Sequence, residues 1–341
     1  MKKLLAISFL TLTSILLFAC STNTKTTTVP MYLQDVWLCE DNTINVQDYS
    51  TDSQDNLSCT VTIEYTETDV IIRSSGIPNH SFESTIGCCA SNQNSTWYIP
   101  IFPKEAPVND LTMAPERGPI AITVSGVAIY GPEEGPGGDA VALDHGYFIE
   151  DRQPVELGIC GGHSGPGGQY HYHYDSNCMH WHPDTSSKSV EEWLNSYTPN
   201  TKKHSSIIGF AFDGYPIYGS YGWDKNKNVK EITSSYKLKD GANGYNGIDD
   251  YKYIEDFGDL DKCNGRFSPT PEAPKGIYHY HTTLTNGNSK LGFPYFLLCY
   301  HGVPNKMNFT TGQGDGPPPM RPEMGGALPP DRPPRPQNNN R

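Results

Sequence analysis

Tyr170-His171-Tyr172-His173 recurs as Tyr278-His279-Tyr280-His281. On an extended strand side chains alternate, so each string sends two imidazoles to one face and two phenol rings to the other. The surroundings repeat as well. Gly126-Val127-Ala128-Ile129-Tyr130-Gly131 precedes the first string, and Gly214-Tyr215-Pro216-Ile217-Tyr218-Gly219 precedes the second. Each copy then carries a cysteine with a glycine-containing approach, Cys160-Gly161-Gly162 and Cys263-Asn264-Gly265, and a further cysteine after the string, Cys178 and Cys299. The shared order of glycine turn, cysteine, motif and cysteine predicts an internal duplication whose halves are related by a rough twofold. The halves have diverged: Gly161-Gly162-His163 stands where the second copy has Asn264-Gly265-Arg266.

Outward from the repeat, most local patterns are those of strands. Residues 59–65 alternate (Cys-Thr-Val-Thr-Ile-Glu-Tyr) and 69–73 read Asp-Val-Ile-Ile-Arg, which together predict a hairpin. Residues 119–130 and 206–218 read as strands running into the two glycine turns. A helix is expected at 190–197, where Val190, Trp193, Leu194 and Tyr197 follow helical spacing and Ser189 with Glu192 forms a capping box. The polar stretch 225–261 reads as a surface insertion in the second half. With 33 Gly and 28 Pro, the expected fold is mainly β: an internally duplicated, disulfide-stabilised β domain with long Gly/Pro-rich loops and few short helices. The segments are a leader (1–19), a tether (20–30), an N-terminal β region (31–117), the duplicated domain (118–302) and a Pro-rich tail (303–341) that cannot bury a core.

These motifs resemble the YHYH-domain family. The resemblance rests on Ser75-Gly76-Ile77-Pro78-Asn79-His80, the Gly126 and Gly214 turns, Cys263-Asn264-Gly265, both YHYH strings, and Phe293-Pro294-Tyr295 running to Cys299-Tyr300. It spans roughly residues 60–302. It implies relatives and carries no reaction with it.

The first residues bear on location. Lys2 and Lys3 precede an apolar run from Leu4 to Ala19 that meets Cys20, the pattern of an export signal. Leu17-Phe18-Ala19-Cys20 resembles a bacterial lipoprotein signal, with Cys20 lipidated as the new N-terminus. The expected location is the bacterial cell envelope, membrane-anchored through that lipid, and the outer membrane in a diderm, since Ser21 rather than Asp follows Cys20. The net charge of −13 becomes −15 once the two leader lysines are gone. So acidic a surface argues against nucleic acid as a partner, because phosphate contacts need Lys and Arg.

Nine cysteines less Cys20 leave an even eight, which in an oxidising compartment predicts disulfides. The repeat suggests Cys160–Cys178 and Cys263–Cys299. Cys39, Cys59, Cys88 and Cys89 remain, and adjacent Cys88 and Cys89 are expected to bond to separate partners, since a vicinal bridge is strained.

Seven of the 11 histidines fall in two short regions. If the repeated strands pair or face each other, His171, His173, His279 and His281 converge, either holding one transition metal, Cu or Zn, or supplying two imidazoles each to a two-metal site completed by carboxylates. His180-Trp181-His182 is a third His-x-His pair and supplies secondary candidates, His180 and His182. Asp213 and Asp144 are candidates for fixing imidazole tautomers. The motif tyrosines are expected to pack in the core. No nucleophile elbow, P-loop, dinucleotide fingerprint or H-E-x-x-H motif occurs, so no enzyme class is assigned and no catalytic residue is named. The alternatives to a metal-binding envelope lipoprotein are a glycan- or matrix-binding module that uses the abundant aromatics, and a purely structural surface lipoprotein.

Overall fold

The computed structural model describes residues 29–40, 42–52, 57–134, 138–144, 155–180, 202–284 and 292–309. Eight strands form the central sheet. The first half contributes β1 (Pro119–Thr123), β2 (Ala128–Tyr130), β3 (Gly162–Ser164) and β4 (Tyr170–Tyr172). The second contributes β5 (Ile207–Ala211), β6 (Pro216–Tyr218), β7 (Gly265–Ser268) and β8 (Ile277–His281). Their order across the sheet is β7-β8-β6-β5-β1-β2-β4-β3. The two halves are mirror orders of each other about the β5–β1 boundary, and the pairings agree. β1–β2 and β5–β6 are antiparallel hairpins, β2–β4 and β6–β8 are parallel, and β3–β4 and β7–β8 are antiparallel. β1 and β5 join antiparallel at the centre, as a twofold between equivalent edges requires.

The repeated glycines turn the two hairpins. Gly126 (φ +79°) and Gly214 (φ +91°) take the left-handed backbone region, which glycine enters without a Cβ penalty. Each turn also presses against the N-terminal sheet. A Cβ at Gly126 would lie 2.4 Å from Ser74 Cβ, and one at Gly214 would lie 2.5 Å from the Pro100 carbonyl. That sheet is the predicted hairpin, Val61–Tyr65 with Asp69–Ser74, extended by Ser95–Pro100. Ile120, Ile122, Ile208, Phe210 and Phe212 share one buried core cluster with Val70, Ile72 and Ile99 of that sheet, and Trp97 stacks on Phe212 at 5.5 Å.

The motif tyrosines fill the core as expected. Tyr170, Tyr172, Tyr278 and Tyr280 are buried. In each half the two rings meet edge to face with centroids 5.3 Å apart. Fold class and duplication therefore stand as read from the sequence; within the polar stretch 225–261, Val229–Glu231 pairs with the preceding strand Tyr221–Trp223, and Tyr236–Leu238 pairs with Tyr251–Tyr253. The packed fold continues past residue 302: the turn Lys306–Phe309 docks through reciprocal Asn308–Tyr98 hydrogen bonds of 2.8 Å. The leader, the tether up to residue 28, the predicted helix at 190–197 and residues 310–341 lie outside the described residues.

Cys160–Cys178 and Cys263–Cys299 are bonded, as the repeat predicts. The expectation for Cys88 and Cys89 is corrected: they are bonded to each other. Cys39 and Cys59 sit with Cα atoms 5.8 Å apart and bond together, within the ordinary bridging span. Among the described residues this leaves the adjacent pair no other cysteine.

Candidate metal centres

The histidine pairs do not meet. Four strands, β6, β5, β1 and β2, separate β8 from β4, a gap of about 24 Å at the usual strand spacing. The convergence of His171, His173, His279 and His281 on one ion is thus corrected to two centres, one in each half, because the twofold lies along the central hairpins and carries the motif strands outward.

Each centre is built by the same local rule. The first motif histidine turns its Nδ1 to the carbonyl two residues back: His171 to Gln169 at 3.2 Å and His279 to Ile277 at 2.9 Å. The second turns its Nδ1 to the glycine carbonyl just beyond the neighbouring parallel strand: His173 to Gly131 at 3.1 Å and His281 to Gly219 at 2.7 Å. These are the last glycines of the two repeated turn segments. Nδ1–H donation to a backbone carbonyl fixes the ring and presents Nε2 as a lone pair, the arrangement typical of metal-ligating histidine.

In the first centre His163 and Glu134 complete the set. His163 lies directly across from His171 in the β3–β4 register. Glu134 Oε1 is 3.0 Å from His163 Nε2, 3.5 Å from His171 Nε2 and 2.8 Å from His173 Nε2, and the Nε2 atoms of His163 and His171 are 3.1 Å apart. Burial acts to raise the Glu134 carboxyl, but hydrogen bonding in the cluster, His163 foremost, outweighs it and holds the group below the usual carboxylate range. Burial pushes His171 down to about 3 and also lowers His173. A neutral imidazole has one N–H. His173 faces an acceptor at each nitrogen, the Gly131 carbonyl and the Glu134 carboxylate, so the neutral ring leaves one of these contacts without a proton, which a second proton or a cation would supply.

The second centre shows the same deficit more plainly. His279 and His281 have both Nδ1–H groups on carbonyls, and their Nε2 atoms face each other at 3.1 Å. His204 joins them from the segment leading into β5; its Nδ1 is 2.8 Å from the Ser205 carbonyl and its buried Nε2 has no partner among the described residues. One ring nitrogen of each lies within 4.8 Å of the others. Burial lowers all three, His279 to about 3 and His281 well below the ordinary value. Three lone pairs thus point together with no proton among them.

The edge lengths suit an ion. Ligand bonds of about 2.0–2.1 Å to tetrahedral zinc place neighbouring donors about 3.3 Å apart. The contacts of 2.8–3.5 Å in the first centre and the 3.1 Å between His279 and His281 in the second lie within about half an ångström of that value, and the other donors of each centre lie within 4.8 Å of one another.

Other predicted residues have different places. Asp213 is fully buried, yet it touches no imidazole of either centre: it accepts from the Tyr280 hydroxyl at 2.7 Å and from the Gly302 and Tyr215 amides. It orients the motif strand from the tyrosine face. Asp144 ends the short helix Ala140–Asp144, and His180 ends the turn Cys178–His180. The side chains of both, and the whole of His182, lie outside the described residues. Sequence reasoning did not single out Glu134 or His204 as ligands, since neither stands near a YHYH string. His163 was visible as the position where the repeats diverge.

A twofold-duplicated β sheet that buries a histidine cluster in each half defines the class of this protein. The YHYH protein family profile matches residues 96–309, and the chain belongs to that family. No curated protein and no solved structure matches it.

Proposed function

We propose that this chain is a cell-envelope lipoprotein, anchored through Cys20, that binds two transition-metal ions, one at Glu134, His163, His171 and His173 and one at His204, His279 and His281. Zinc and copper are the ions the imidazole sets suit. The observation that carries the reading is the proton deficit: every motif Nδ1 is committed to a backbone carbonyl, and the Nε2 lone pairs crowd together in the interior. A structural brace would have little reason to aim buried acceptors at each other, because unpaired buried polar groups cost about 1–3 kcal/mol each. The lipoprotein part rests on the leader alone, and among the described residues no helix is long and apolar enough to cross a membrane.

The test is elemental mass spectrometry on residues 21–341, purified without a histidine tag from an oxidising compartment. Two equivalents of zinc or copper per chain are expected, and one after His279 and His281 are both replaced by Ala. A chain that is metal-free as purified and takes up neither ion on titration returns the histidines to a structural role.

A further inference from the structure

We infer that the His204–His279–His281 centre, holding its cation, takes a small oxyanion (a carboxylate or a phosphate group) as its remaining ligand, with Arg266 gripping the anion's second oxygen. This rests on the metal-binding reading of that centre given above.

Ligand count comes first. The first centre offers three imidazoles and a carboxylate, whereas the second offers three imidazoles and, among the described residues, no acid in the cluster. Three protein ligands leave a tetrahedral ion one open position. Charge comes second. Three neutral imidazoles leave a divalent ion uncompensated, and the nearby side chain is itself cationic. Buried positive charge needs an anion; among the described residues Glu272 acts on His204 through space but bonds the Tyr218 hydroxyl at 2.7 Å and is not in the cluster.

Arg266 is placed to hold it. In the β7–β8 register it lies directly across from His279. It thus occupies the position that His163 holds opposite His171 in the first half. Its Nη2 donates to the Trp223 carbonyl at 3.0 Å, while its Nε is buried with no acceptor among the described residues. Among the described residues no carboxylate forms an ion pair with it. The acid that acts on it through space, Asp259, is engaged by Lys230 at 2.7 Å and by the Thr233 amide and hydroxyl at 3.0 Å. A guanidinium edge with free donors matches the two oxygens of a carboxylate or phosphate.

Gly222 sets the position of the guanidinium. A Cβ there would stand 2.5 Å from Arg266 Nη2 and 3.0 Å from both His281 Cε1 and Ile232 Cγ1, so only glycine lets Arg266 close against the strand beside the imidazole. Divergence between the repeats is then chemically coherent: the half that kept Glu134 carries its own anion, and the half with arginine in place of His163 recruits one.

The experiment loads the full chain, residues 21–341, with cobalt(II) and follows its visible absorption during titration with acetate, inorganic phosphate and, for comparison, chloride. A saturable spectral change with acetate or phosphate is expected; the oxyanion that gives it identifies the group. Arg266→Gln should weaken that binding about tenfold or more, the loss of a charge-assisted hydrogen bond, with cobalt stoichiometry unchanged and the weaker chloride response little altered. Should that variant fail to fold, Arg266→Lys, which keeps the charge and loses the fork, and Gly222→Ala, whose methyl group displaces the guanidinium, give the same reading. The inference is overturned if the cobalt-loaded chain shows no saturable change with either oxyanion, or if the arginine variants bind as tightly as the parent. Failure of the underlying metal reading is separate: cobalt would then not bind before any anion is added.

Discussion

Replacing His279 and His281 together by Gln in metal-free protein should flatten the pH dependence of folding stability. Both imidazoles are buried, and burial lowers His279 from 6.5 to about 3 and His281 well below its ordinary value. In the unfolded chain both titrate near 6.5. Below that pH the unfolded state binds protons that the folded state does not. The stability these residues contribute is therefore complete above about pH 6.5 and declines as the pH falls toward the folded value. From pH 7 to pH 5.5 each neutral buried imidazole costs roughly 1.2 kcal/mol, so the pair accounts for about 2.5 kcal/mol. Against a total stability of order 5–15 kcal/mol this is easily resolved. Other groups also titrate in the window; Asp139, raised by burial to about 8, acts in the opposite sense. They are common to both proteins and cancel in the difference. The assay is urea denaturation of chelator-treated parent and variant at both pH values. The parent should lose about 2.5 kcal/mol more than the variant on acidification. Equal losses would refute the reasoning, for they would mean that these imidazoles protonate freely in the folded protein and are not held as lone-pair donors.

Glu134→Gln should separate metal binding from stability. It should lower metal occupancy of the first centre at least about tenfold through loss of the anionic ligand. It should also leave metal-free protein as stable or up to about 1 kcal/mol more stable, because the amide can donate where two acceptors now face each other across 2.8 Å; calorimetric zinc titration alongside urea melts reads both, and a metal-free variant that is clearly less stable would contradict the proton-deficit argument. Asp213→Ala leaves the Tyr280 hydroxyl and the Gly302 and Tyr215 amides without their acceptor inside the core. A loss of about 3–5 kcal/mol is expected in denaturant melts, and a loss under 1 kcal/mol would show that the tyrosine face of β8 is not fixed by that carboxylate.

The sequence determined a good deal by itself. Period-two alternation in two identical strings told which side of each strand carries imidazole and which carries phenol, since that follows from backbone geometry alone. The doubled order of glycine turn, cysteine, string and cysteine was enough to read the duplication, the mainly β class and two of the disulfides, because repeats of one unit fold alike. The glycines at 126 and 214 were legible as turns, although their contacts with Ser74 and Pro100 on the N-terminal sheet were not.

Only the tertiary structure decided where the duplicated units meet. The sequence cannot say which edge a twofold uses, and here β1 pairs with β5, which drives the two histidine pairs to opposite sides of the sheet instead of onto one ion. The completing ligands depend on the same placement. Glu134 lies 29 residues before His163, and His204 lies 75 residues before His279; no local spacing marks such partners, and they come together because the sheet packs one element against another. The pairing of Cys88 with Cys89 was decided likewise, by Cys39 and Cys59 lying within reach of each other. Local chemistry is written in the order of neighbours along the chain, whereas a coordination sphere is assembled by distances that exist only after folding.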